Sequence, residues 1–370
     1  MTESKYYCPL PFRHLSIRLD LKSVPCCMFK TSEVPEDLTM AYPNVFHDHP
    51  FMNKIRKDIL DGKPVAGCSS SYESEEITGR SQRTDYIGGV KQKYNGVLPT
   101  EPKLTYIDFA FSNVCNNRCR MCGPHLSTNW YSDAKALGQE IPKGLTVFDQ
   151  NVFDKIDFST LNFVKMFGGE PLMEQEKIIQ FLNKCNLDKL GILMITNCTS
   201  KPSDELLSML IKCERLDWLI SVDYPGMLND FLRKGSKWEE VKENLNWYIK
   251  TFPQESLKIN TVVSIYNINN FYHMTDYMNS ITNNFNILYN PIVNSDWMMP
   301  KNLPLSAKAI IEEQLIKSSH PFAPMAINEM KKEGDIQAFL HMDKKLNAIR
   351  KENWFECNPE LYELLKEYYD

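Results

Sequence analysis

The sequence predicts an α/β fold, on three observations: short runs rich in Val, Ile and Phe, stretches of helical period between them, and three cysteines packed directly after the first run. The runs LTYIDFAF (104–111), FVKMF (163–167), GILMIT (191–196), WLISVD (218–223), LKINTVVSIY (257–266) and FNILYNPIV (285–293) each suit a strand. Helical stretches at 174–185, 203–213 and 237–252 separate several of them. Strand and helix alternating in this way build a parallel sheet buried on both faces. Six such units suit a partial (β/α)6 barrel, and an open doubly wound sheet has the same sequence texture.

On either side of this core the texture differs. Residues 1–100 are irregular and rich in proline, with one helical stretch at 50–60 where Met52, Ile55 and Ile59 share a face and Asp61-Gly62 supplies a stop. YIGGVKQKYNGVLPTEPK (86–103) has the glycine and lysine content of a linker. Beyond residue 296 the pattern is helical, at 306–319, 327–353 and 359–369. Three regions are expected: 1–100, 101–295 and 296–370.

Bulk composition narrows the function. The chain has 370 residues, 43% of them hydrophobic, enough to bury a sizeable core. Its net charge of -5 comes from 42 basic and 47 acidic residues mixed along the chain, so a long nucleic acid is not an expected partner. The start MTESKYYCPLPFRH lacks the pattern of a signal peptide, and no run reaches the roughly 18 apolar residues of a membrane span. A cytoplasmic location without membrane attachment is therefore expected, and there the eleven cysteines read as ligands or small apolar side chains before disulfides.

Cys115, Cys119 and Cys122 fall within NVCNNRCRMCGPH, on the loop at the carboxyl end of the first strand, where parallel α/β folds place their chemistry. Asn116, Asn117, Arg118 and Arg120 make the stretch too polar for a core. At this cysteine content, chance predicts about 0.01 occurrences of the spacing. Structural zinc takes four ligands and commonly two cysteine pairs, and no second pair lies nearby. Thiolates also hold iron–sulfur clusters, and a cubane given three of them keeps one iron open to a small chelating molecule.

C-x₃-C-x₂-C, with Met121 before its last cysteine, resembles the signature of the radical S-adenosylmethionine family. The resemblance implies a partial TIM-like barrel and a [4Fe-4S] cluster whose open iron chelates S-adenosylmethionine, which an electron then cleaves to a 5′-deoxyadenosyl radical. It also implies cofactor contacts at later strand ends. Gly168 and Gly169 of MFGGEPL resemble the close-approach glycines of the family, and Glu170 the acceptor of the methionine ammonium. Asn197 in ITNC, Ser221 and Asp223 in ISVDYPG, and Arg233 in NDFLRKGSKW are placed similarly to the family's polar contacts to ribose and carboxylate. YNPIV could lie against the adenine, and Cys198 is expected to be a small buried side chain.

Cys8, Cys26, Cys27 and Cys68 lie in a region with little core of its own, and such segments commonly need a metal to hold them together. They resemble the SPASM or twitch extension of the same family, with Glu75, Gly79, Ser81 and Arg83 following, placed here before the barrel. That implies a second, auxiliary [4Fe-4S] cluster. Ser69, Ser70 and Ser71 stand where related sequences carry a further cysteine, so the economical ligand set is Cys8, Cys26, Cys27 and Cys68. Whether adjacent Cys26 and Cys27 both reach it stays open, as does zinc in the same thiolates. Cys185, Cys213 and Cys357 read as packing residues.

The resemblance implies an enzyme that modifies a substrate by hydrogen abstraction, supplied with electrons by a flavodoxin- or ferredoxin-like reductant. A peptide or protein substrate comes first, with a nucleotide or other small metabolite as the rival and a non-catalytic iron–sulfur or zinc protein as the reading from another class. No residue is singled out as a proton or hydrogen donor.

Overall fold

The structure is a computed structural model that describes residues 4–19, 22–39, 42, 44–93, 96–142, 156–282, 285–292 and 295–369. Its strands are β1 (His14–Ile17), β2 (Ser23–Val24), β3 (Tyr106–Ala110), β4 (Phe163–Phe167), β5 (Gly191–Thr196), β6 (Arg215–Ser221), β7 (Leu257–Val263) and β8 (Asn286–Pro291). They form one sheet ordered β2-β1-β3-β4-β5-β6-β7-β8, open at β2 and β8. The β1–β3, β3–β4, β4–β5, β6–β7 and β7–β8 pairings are parallel, and β1–β2 is antiparallel. The α/β class and all six expected strands are present. Val293, the last residue of the expected sixth strand, lies outside the described residues.

By contact density the chain divides into two compact units. The first comprises residues 1–112, 144–194 and 202–216. Within it, Phe109 of β3 and Phe181 of helix Gln175–Leu182 are fully buried with ring centroids 5.7 Å apart, so the helix closes one face of the sheet. The opposite face departs from the expectation of burial in apolar surroundings. Ser16, Asp108 and Lys165 are in register across β1, β3 and β4, a polar row in the sheet.

The region expected to be irregular is better ordered than its composition suggests. It holds β1, β2 and helices at Leu10–Arg13, Val45–Asp48, Pro50–Leu60, Ser69–Thr78 and Gln82–Lys93. The last overturns the linker reading of 86–103 over its first half. Gly88 and Gly89 sit within that helix with open space where a Cβ would go, so they weaken the helix without breaking it.

The second unit comprises residues 113–143, 195–201 and 217–370. On β7, Leu257, Ile259, Thr261 and Val263 are buried while Lys258, Asn260 and Val262 are half-buried, the period of two of a strand. Helix Trp238–Thr251 packs its Tyr248 edge-on against Trp218 of β6 at 4.9 Å. The expected helix at 327–353 is two helices, Ala323–Lys331 and Ile336–Arg350. Gly334 causes the break: a Cβ there would lie 2.3 Å from the Lys301 carbonyl oxygen, and Asp335 then caps the second helix by accepting from Gln337 N–H at 2.8 Å. An apolar cluster including Tyr266, Phe339, Trp354 and Leu361 joins these helices.

Candidate metal centre

The cysteine loop belongs to the second unit and is laced to the segment 232–236 by backbone bonds. Arg118 N–H donates to Lys234 O and Arg120 N–H to Leu232 O, both at 2.7 Å. Gly235 permits this approach, since its φ is 111° and a Cβ would lie 2.5 Å from the Asn116 carbonyl oxygen. Cys122 N–H turns back to Cys119 O at 3.1 Å, Trp130 Nε1 donates to the same carbonyl at 2.7 Å, and Ser295 Oγ donates to Met121 O at 3.2 Å. These backbone groups of the loop therefore have protein partners before any ligand arrives.

Cations and amides surround the thiols. Arg233 Nη1 lies 4.0 Å from Cys119 Sγ, and Asn117 N–H donates to Cys115 Sγ at 3.4 Å. A hydrogen bond from Cys122 and the charge of Arg233 hold the buried Cys119 thiol below its ordinary pKa, while the same bond and burial push Cys122 up.

Four of the other expected contact residues are in this unit. Asn197 Nδ2 donates to Asn116 Oδ1 at 2.8 Å and lies 3.9 Å from Cys115 Sγ, which steadies the start of the loop. Ser221 is the half-buried last residue of β6. Asp223, fully buried, takes Arg233 in a two-pronged pair at 2.9 Å on each prong, and accepts Val262 N–H at 2.9 Å. Burial alone would lower the Arg233 pKa, but Asp223 and the thiols more than offset it. Asp223 and Arg233 are therefore paired with each other, Arg233 beside a thiol. Cys198 is fully buried as expected, with a left-handed φ of 63°.

Gly168, Gly169 and Glu170 belong to the first unit. Gly168 has φ 127°, and a Cβ there would lie 2.6 Å from Ser112 O, the carbonyl that also accepts Gly169 N–H at 2.9 Å. Only glycine satisfies both demands. Glu170 is buried and accepts Leu172 N–H at 3.2 Å, capping the turn Pro171–Met173.

The N-terminal thiols share that unit, and the structure sorts them. Arg83 fastens two of their segments, donating from Nη1 to Tyr7 O at 2.6 Å beside Cys8 and from Nε to Glu75 at 2.9 Å on helix Ser69–Thr78. Lys30 N–H reaches Gly67 O at 2.9 Å and joins the Cys26–Cys27 turn to Cys68. Burial, then the neighbouring thiols of Cys8 and Cys68, push Cys26 up; burial pushes Cys8 up to about 12 and Cys68 to about 11. Cys27 turns elsewhere. It donates to Gln82 Oε1 at 3.4 Å, and after burial the main influence raising its pKa is the charge of Asp108.

That charge belongs to a site the sequence did not announce. His14 and Asp108 are buried, with Nε2 and Oδ2 3.4 Å apart, and His14 Nδ1 lies 2.8 Å from Pro25 O, which can only accept. No local motif marks them, because they come together through strand register.

None of the eleven cysteines forms a disulfide. Among the described residues, no group of three or more His, Cys, Asp or Glu side chains is arranged to hold a single metal ion. A cubane is held by one thiolate on each of its irons, and three thiolates leave its fourth iron open. Three thiols on one braced loop, among donors and cations, fit that group. Among the described residues no helix is long and apolar enough to cross a membrane.

Residues 109–278 match the family model described as Radical SAM superfamily. No curated protein matches the chain significantly. Solved structures similar to it include native anSMEcpe with bound AdoMet, at 16% identity over 58% of this chain and 59% of that one, TM-score 0.41. Another is Streptococcus suis SuiB bound to precursor peptide SuiA, at 14% identity over 72% and 58%, TM-score 0.39. The chain spans about three fifths of the length of these two solved relatives.

Proposed function

From the premise that residues 109–278 belong to the radical SAM superfamily of enzymes, we propose that this chain holds a [4Fe-4S] cluster on Cys115, Cys119 and Cys122 and binds S-adenosylmethionine at its open corner. The substrate is a peptide or protein. The observation that carries the reading is the braced three-thiol loop with Arg233 4.0 Å from Cys119 Sγ. When bound, the cluster and S-adenosylmethionine supply reductive cleavage and hydrogen abstraction from an unreactive C–H bond.

The protein's own contribution is to position. Arg233, its charge balanced by Asp223, offsets thiolate charge at the loop. Asn197 and Asn117 N–H donate toward Cys115, and Gly168 and Gly169 fix the backbone that carries Glu170. We assign Met121, Asn197, Ser221, Asp223 and Arg233, all of the second unit, to the surroundings of S-adenosylmethionine, and residues 101–295 to the core. Residues 1–100 then hold an auxiliary cluster on Cys8, Cys26 and Cys68. The Cys27 thiol, turned to Gln82, stands outside that set. The peptide preference rests on the likeness of this N-terminal segment to the twitch and SPASM extensions.

Anaerobic loading with iron and sulfide, then dithionite and S-adenosylmethionine, tests the reading by release of 5′-deoxyadenosine. The expected result is product from the wild type, none from Cys119→Ala, and roughly eight irons per chain, two cubanes' worth. A wild type that binds about four irons removes the auxiliary site, and one that makes no product sinks the enzyme.

A further inference from the structure

We propose that the C-terminal helix Ile336–Arg350 and the turn after it are a brace and a charge regulator for the three-cysteine loop, with Asp343, Arg350 and Glu352 as positioning residues; this rests on the reading that the loop carries a cluster. All three residues lie beyond the matched segment 109–278.

Arg120 stands between Cys119 and Cys122, and its side chain is fully buried. Its guanidinium reaches Asp343 Oδ1 at 3.3 Å, Glu352 Oε1 at 3.1 Å, Tyr266 Oη at 3.2 Å and Asn347, and lies 3.8 Å over the Phe231 ring. Asp343 in turn accepts Tyr266 and Tyr369 hydroxyls at 2.6 Å each, Asn347 Nδ2 at 2.8 Å and Trp354 Nε1 at 3.3 Å. An arginine inside a ligand loop held so fully fixes the direction of the peptides on either side of it.

Two helical turns further on, on the same face, Arg350 makes the second hold. Its Nε and Nη2 lie 2.9 Å from Asp133 Oδ2, Asp133 Oδ1 accepts Arg118 Nη1 at 2.9 Å, and Arg350 lies 4.9 Å over the ring of Trp130, which donates to the Cys119 carbonyl. Glu352 also takes Lys234 at 2.7 Å, the residue whose carbonyl accepts Arg118 N–H. Arg120 thus ends directly on this helix and its turn, and Arg118 is tied to them through Asp133.

Cations near an anionic cluster favour its reduced form, and carboxylates oppose it. The signs give the test. Full-length protein loaded anaerobically is titrated with dithionite, following the electron paramagnetic resonance signal that changes on adding S-adenosylmethionine, with iron counted alongside. At fixed potential, Arg350→Gln is expected to lower the reduced-to-oxidised ratio about threefold or more and Glu352→Gln to raise it about as much, with Arg350→Lys close to the wild type. Glu352, at the rim with 11% of its side chain exposed, supplies the carboxylate arm of the test and Arg350 the cationic arm. Unchanged ratios at wild-type iron content, or shifts of one sign in both variants, overturn the proposal and leave the cluster reading standing. A wild type with no S-adenosylmethionine-responsive signal sinks that reading and the proposal with it.

Discussion

Gly168 shows how narrowly one residue can be specified. A methyl group there would meet Ser112 O at 2.6 Å in a backbone conformation L-residues avoid. Gly168→Ala should therefore destabilise by about 1–3 kcal/mol, read as a lower urea midpoint at unchanged slope. The Asp108–His14 pair makes a second prediction. Burial alone would raise the Asp108 pKa, but His14 and Lys165 favour the charged form and hold it below the ordinary carboxylate range. Because the folded value is depressed, the pair's contribution is present above the unfolded value near 3.9 and is lost as pH falls through the lower folded one. Urea midpoints between about pH 5 and 2 should fall more steeply for the wild type than for Asp108→Asn; equal slopes would count against this account. The cysteine motif was legible because its three cysteines lie within eight residues. Arg120, inside the same stretch, read only as polar flank, since its acidic partners are 223 and 232 positions away.

At the scale of elements, the readable ones were those with enough residues to show a period. The six strands of the core and the helix at Pro50–Leu60 met that condition. β1 and β2, with four and two residues, could not. Helix Gln82–Lys93 was hidden by Gly88 and Gly89, which read as linker. Both glycines are exposed, with room for a methyl group, so Gly88→Ala and Gly89→Ala should each stabilise by about 0.5–1 kcal/mol. A raised thermal midpoint would confirm the helix, and a lowered one would show that the segment needs its glycines for another conformation. The break at Gly334 was missed for the opposite reason: the periodic pattern runs straight across it, and the obstacle is a carbonyl 33 residues away.

Across the whole molecule, alternation of strand and helix was enough to indicate a parallel sheet, while the order of its outer strands was not. β1 pairs with β3 across some ninety residues of chain, and nothing local specifies a partner at that distance. The polar row of Ser16, Asp108 and Lys165 has the same origin, since each residue is unremarkable in its own strand and only register lines them up. Residues aligned by strand register alone, with no motif to mark them, were therefore the ones sequence reasoning could not see.

The insertion of β1 beside β3 bears on how the chain can be cut. A polypeptide shortened to residues 101–370 would leave the β3 margin with a naked ladder of amide and carbonyl groups, an invitation to pair with another molecule. Size-exclusion chromatography should find such a product in aggregates, and co-expression of residues 1–100 as a separate fragment should restore soluble material. The leading hundred residues would then be a graft that completes the sheet, not a detachable appendage.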